Sequence, residues 1–120
     1  MKNIHAQILA ALYTTAGELR LIGPAFDESA RNLEKVGDNY LNHILNAEPL
    51  QPFASTLDGV LKQIQPLEFA RARFYEEELS KAKGRLFEKH VRPNADEVSL
   101  ILSLFGHRLP EYNTVGGVHE

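Results

Sequence analysis

The sequence predicts an all-α fold, a compact bundle of four to five helices in one domain. Apolar residues recur in steps of three and four in several segments, whereas no segment alternates apolar and polar residues as a strand does. Proline and glycine separate these periodic segments. With 120 residues, of which 43% are hydrophobic and 24% charged, the chain is long enough to bury one core.

The N-terminal part predicts two helices. Apolar residues from Ile4 to Ile22 form one stripe at helical spacing, and Gly23-Pro24 ends the segment. A second helix is expected from about Pro24 to Ala47, because proline suits a first helical turn. Asp27 and Glu28 then lie where the helix dipole favours acidic side chains.

A proline-rich loop predicts the break before the third helix. Pro49 and Pro52 cannot continue the second helix, so the segment around them is expected to be irregular. Ser55, with Asp58 three residues later, resembles an N-terminal cap with an acidic third residue. A short helix is therefore predicted from Ser55 to about Ile64.

The last helix is predicted from its cap. Asn94 and Glu97 have the spacing of a capping box, and an apolar run follows as far as Phe105. This run would also suit a buried strand, but the cap before it and Gly106 behind it favour a helix. We expect the bundle domain to span residues 1–106 and residues 107–120 to form an irregular tail.

The densest segment is predicted to be a long helix, at about residues 66–92. One of its faces carries apolar residues in alternating steps of three and four, as in a coiled-coil seam: Ala72, Tyr75, Leu79, Ala82 and Leu86. This stripe is longer than the shorter helices readily cover, so we expect it to be the interface of a homodimer. The alternative is a seam buried within one chain.

The opposite face of the same helix is the candidate partner-binding surface. Residues 62–92 contain eight of the thirteen basic residues against five acidic ones, although the whole chain has a net charge of −3. The residues assigned to partner binding are Arg71, Phe74, Lys81, Arg85, Lys89 and Arg92. The alternative is a solvated face with internal ion pairs, such as Glu77 with Lys81 four residues later.

Motifs for chemistry are missing from the sequence. The chain has no cysteine, which excludes thiol catalysis and thiolate metal sites. Its histidines are scattered without the spacing of a metal motif: His5, His43, His90, His107 and His119. We therefore expect no catalytic residues, no metal and no cofactor, and we expect that the protein is not an enzyme.

The leading expectation is a non-enzymatic protein-protein interaction module: a small cytoplasmic regulator, adaptor or inhibitor that binds a larger protein. No run of the sequence has the ~18 apolar residues that a membrane span requires, and no secretory signal is evident. The alternative is nucleic-acid binding through the basic C-terminal end of the long helix. An enzyme whose site no local motif reveals is a third possibility.

Overall fold

The computed structural model describes residues 4–88 and 92–109, with the side chains of residues 86–88 left out. Within these ranges the regular structure is entirely helical, which confirms the predicted fold class. The helices are α1 (Ile4–Ile22), α2 (Asp27–Leu45), α3 (Phe53–Ile64), α4 (Ala72–Glu88) and α5 (Ala95–Phe105), with 3₁₀ turns at Pro24–Phe26 and Gly106–Arg108. None of these helices has the length and apolar character needed to cross a membrane.

Helices α1 and α2 form an antiparallel pair. Contacts between them run in opposite directions along the two helices: His5 with Tyr40 at one end, and Arg20 with Glu34 at the other. The short 3₁₀ turn over Pro24–Phe26 makes this reversal, as the proline predicted. Helix α2 starts at Asp27 instead of Pro24, because the residues before it adopt the tighter turn.

Helices α3 and α4 form a second antiparallel pair. Lys83 on α4 contacts Asp58 on α3, and Arg73 contacts the end of α3. Helix α3 starts at Phe53, so Ser55 lies inside its first turn and the predicted cap is wrong. The physical reason is the burial of Phe53, which is 6% exposed and draws the first turn onto the core.

Helix α4 starts later than predicted, at Ala72 instead of residue 66. The intervening residues form turns, and the Arg73 guanidinium stabilises them by donating to three backbone carbonyls. These are the carbonyls of Ile64 at 3.1 Å, Gln65 at 2.7 Å and Leu67 at 2.9 Å. One basic residue of the segment therefore closes a helix end and is not available to a partner.

Helix α5 begins as its sequence predicts. The Asn94 side chain accepts from the Glu97 backbone N–H at 2.9 Å, and the Glu97 carboxylate accepts from the Asn94 N–H at 3.2 Å. The packed structure continues beyond the predicted domain end at residue 106, because Leu109 is buried. The rest of the predicted tail, residues 110–120, lies outside the described residues.

The apolar seam of α4 lies in the core of a single chain. Ala72, Tyr75, Leu79 and Ala82 are at most 5% exposed, and they face α3 and α1. The assignment of these four residues to a dimer seam is therefore corrected. The helices that pack beside α4 in the same chain cover all four side chains. The side chain of Leu86, the fifth seam residue, lies outside the described ones.

Candidate functional site

An open groove runs between α1 and α4. Two adjoining cavities of about 470 and 380 Å³ lie along this face, and they share Gln7, Ala11 and Glu78 as lining residues. Because these residues are common to both, the cavities form one continuous depression, which we call the α1–α4 groove. Ile4 and Arg85 line one cavity, whereas Thr14 and Arg71 line the other, so the two helices run antiparallel along the groove.

The floor of the groove is apolar and fixed. Ile8, Ala11 and Leu79 are at most 4% exposed and line it from below. Small side chains keep it open on the α1 side, where Ala10 is exposed beside Ala11. A groove with an apolar floor and small walls allows another backbone to approach closely.

Phe74 is the exposed aromatic of the groove. Its side chain is 58% exposed, and its ring meets the edge of the Tyr75 ring with 5.5 Å between centroids. It belongs to α4 one residue before the buried Tyr75, so it points away from the core while bordering the groove floor. Its apolar surface therefore continues the floor into a patch that is accessible to a partner.

Cationic side chains border the groove on the α4 side. Arg71 lies at one end and Arg85 at the other, about 21 Å apart along the helix axis at about 1.5 Å per residue. Within the described part of the chain, neither forms an ion pair. Lys81 lies between them and pairs with Glu77 at 3.2 Å, which confirms the predicted i,i+4 pair.

One acidic side chain lies in the middle of this basic border. Glu78 is half-buried, lines both cavities and has no ion pair among the described residues. A chain of phosphates lying along the groove would meet its negative charge between the two arginines. The electrostatic pattern is therefore cationic at the ends and anionic at the centre.

Arg92, another of the predicted partner-binding residues, does not line the groove. Arg92 lies at the C-terminal end of α2, where its guanidinium donates to the Ala47 carbonyl at 2.6 Å. This contact serves the fold, because Ala47 ends the helix in the left-handed conformation with φ 55°. Lys89 lies outside the described residues.

Two other basic residues of the segment are also used internally. Lys83 donates to Asp58 at 2.9 Å, and together with Lys62 this ion pair holds the pKa of the Asp58 carboxyl below its ordinary value. Arg73 closes the turn before α4. Some basic side chains of this segment therefore make contacts within the fold, whereas others border the groove.

The α1 side of the groove was not predicted from the sequence. Gln7, Ala10 and Thr14 line it, yet the spacing of α1 indicated one apolar stripe, which packs on α2 and the core. The signal that was present is the pair of small residues Ala10-Ala11 beside that stripe. These alanines indicate a groove only when α4 is known to lie antiparallel beside α1.

A second polar cluster joins α1, α2 and the end of α5. The Tyr13 hydroxyl donates to Asp38 Oδ1 at 2.6 Å, and Arg108 donates to the same oxygen at 3.2 Å while its guanidinium lies 4.7 Å from the centre of the Tyr13 ring. Burial, and then the hydrogen bond to Asp38, raise the pKa of the Tyr13 hydroxyl. These groups satisfy one another, so we assign the cluster to stability and call it the Tyr13 clamp.

Comparison with protein-family models, with curated proteins and with solved structures finds no match for this chain. Among the described residues, no three histidine or acidic side chains are grouped as a metal site requires. The α1–α4 groove combines concavity, an exposed aromatic side chain and arginines without an ion pair among the residues described, and it is the best-supported site.

Proposed function

We propose that this protein is a non-enzymatic protein-interaction module, a small cytoplasmic regulator, adaptor or inhibitor that binds a larger protein through the α1–α4 groove. The observation that carries the proposal is Phe74, a large aromatic side chain that is 58% exposed beside an apolar floor. Aromatic and arginine side chains dominate the energetics of protein interfaces. Phe74 lies in the groove with Arg71 and Arg85, which matches that composition.

The layout of the groove also fits a binding role. Its floor belongs to the core, so the binding surface is preformed and little ordering is required when a partner docks. Its border is polar and exposed, as at the rim of most interfaces. The groove therefore has a fixed apolar centre and a charged rim, the usual anatomy of a protein-binding surface.

Affinity capture with matched variants tests this proposal. The bait is the full chain as wild type, Phe74→Asp or Leu100→Asp, and the source is a lysate of cells that produce the protein. Leu100 is 47% exposed on α5, so it offers the same kind of change on a different face. We expect a protein that wild type and Leu100→Asp retain and Phe74→Asp does not.

The opposite pattern would contradict the proposal. If Phe74→Asp retains every protein that wild type retains, the groove is not the binding surface. If Leu100→Asp loses the partner instead, the exposed face of α5 is the interface. Circular dichroism of each bait establishes that both variants are folded, and aspartate at Phe74 suits the first turn of α4 because of the helix dipole.

A further inference from the structure

The shape of the α1–α4 groove indicates what kind of segment fits it. Its walls are two antiparallel helices, and on α1 it extends over residues 4–14, about 15 Å along the axis. A third helix lying in the depression between two packed helices is a common arrangement, and it needs small side chains at the contact. Ala10 and Ala11 supply them.

The charges of the groove specify the partner further. Arg71 and Arg85 lie at its two ends and form no ion pair with another described residue, although the chain as a whole has a net charge of −3. A segment with acidic side chains at both ends and an apolar stripe between them would complement these charges and cover Phe74. Such complementarity increases the association rate and selects among partners.

We infer that the α1–α4 groove binds an acidic amphipathic α-helix of another protein. The inference rests on the proposed function and adds the chemistry of the partner. The helix would present apolar side chains at positions i, i+3 or i+4, and i+7 to Phe74 and to the apolar floor of the groove. The acidic residues of this helix would form ion pairs with Arg71 and Arg85. A hydrogen-bond donor near the middle of the helix would bind the Glu78 carboxylate.

The same features disfavour the two other occupants. A second copy of the chain would bring its own Arg71 and Arg85 against those of the first in a two-fold arrangement, where like charges repel. Nucleic acid would be repelled by Glu78 at the centre of the groove, which has no ion pair among the described residues. Nucleic acid bound there would also leave the apolar floor of the groove uncovered.

A peptide display library tests the inference directly. The probe is a library of helix-forming peptides of about 16 residues, randomised over apolar and charged side chains and selected on the immobilised full-length protein. We expect the selected peptides to be helical when bound and to carry an excess of aspartate and glutamate on both sides of an apolar stripe. Binding is then measured by fluorescence anisotropy.

Variants of the protein place the selected peptides in the groove. Phe74→Asp is expected to weaken their binding by about tenfold or more, as for a central aromatic anchor. The double variant Arg71→Ala, Arg85→Ala is expected to weaken binding and to reduce its dependence on salt, because screened charge pairs are removed. Leu100→Asp, the matched control, is expected to bind as wild type does.

The outcomes separate this inference from the proposed function. Selected peptides whose binding is weakened by Phe74→Asp, but which bind in an extended conformation or carry no acidic excess, would overturn the inference of an acidic helix. They would still support the proposed binding function. Peptides that bind Phe74→Asp as tightly as wild type, or no enrichment at all, would count against the groove itself. Oligonucleotide binding that depends on both arginines, or a homodimer that Phe74→Asp dissociates, would overturn the inference in favour of those occupants.

Discussion

Helix α1 has two different neighbours, α2 and α4, and the two contacts differ in how far their side chains are used within the fold. Towards α2 the contact is closed: Gly37 lies directly against the Tyr13 ring, and the Tyr13 hydroxyl, Asp38 and Arg108 bond to one another in the Tyr13 clamp. Towards α4 the contact is open, with a preformed groove, an exposed Phe74, and two arginines that form no ion pair within the described part of the chain. The closed side uses its charged and aromatic groups within the fold, whereas the open side leaves the Phe74 ring largely exposed.

The largest expected effect concerns the floor beneath the open side. Leu79 is completely buried, so Leu79→Ala should reduce the free energy of unfolding by about 2–5 kcal/mol. The matched change on the groove side, Phe74→Ala, should reduce it by less than about 1 kcal/mol because that ring is largely exposed. Urea unfolding followed by circular dichroism measures both. A similar loss for the two variants would show that Phe74 is part of the packed core.

The next largest effect concerns the closed contact between α1 and α2. A Cβ at Gly37 would lie 2.8 Å from Tyr13 Cζ, and that ring is held by Asp38 and Arg108. Gly37→Ala should therefore destabilise the fold by roughly 1–3 kcal/mol from overpacking, offset in part by up to about 1 kcal/mol of helix propensity. The measurement is again urea unfolding.

Gly59 provides the control for this substitution. It also lies inside a helix, but a Cβ there would meet no atom within 4 Å. Gly59→Ala should thus stabilise the protein by about 0.5–1 kcal/mol, the opposite sign from Gly37→Ala. If both alanines stabilise the protein equally, the contact between α1 and α2 is looser than the structure indicates.

The helices were predictable because their signals are local. The capping box at Asn94 and Glu97, and the proline between α1 and α2, act within a few residues of the chain. The start of α4 was not predictable, because it depends on Arg73 reaching carbonyls six to nine residues earlier. A long-range hydrogen bond of this kind has no periodic signature.

The candidate site was predictable on one side. The exposed face of α4 was found from its charges, and Arg71, Phe74, Lys81 and Arg85 do line the groove. The sequence could not decide which helix would cover the seam of α4, because spacing defines a face and not its neighbour. The residues of α1 that complete the groove, and the internal role of Arg92, follow from that packing.

A smaller effect concerns pH on the closed side. The pKa of the Tyr13 hydroxyl is raised by burial and by Asp38, so the folded state keeps this proton when the unfolded chain releases it near pH ~10. The resulting stability is present below that pH and is lost as the pH rises above it. Tyr13→Phe should cost about 0.5–1.5 kcal/mol at neutral pH and should make unfolding less sensitive to alkaline pH.

Tyr40 contributes a second part of the stability that is lost at alkaline pH. Its pKa is also raised by burial, so part of the alkaline loss should persist in Tyr13→Phe. Urea unfolding of wild type and variant at several pH values from neutral to alkaline measures the difference. An unchanged pH dependence in Tyr13→Phe would mean that Tyr13 does not keep its proton through the clamp.

The smallest expected effect on stability lies on the open side, at Arg85. Its guanidinium is exposed and has no ion pair among the described residues, so Arg85→Ala should change the free energy of unfolding by no more than about 0.5 kcal/mol. Lys83→Ala is the matched control on the same helix, because that ammonium group pairs with Asp58 across to α3. Urea unfolding at low and high salt should show a salt-dependent loss for Lys83→Ala and none for Arg85→Ala. A loss for Arg85→Ala as large as that for Lys83→Ala would mean that this arginine also serves the fold, and the charge at that end of the groove would no longer be free for a partner.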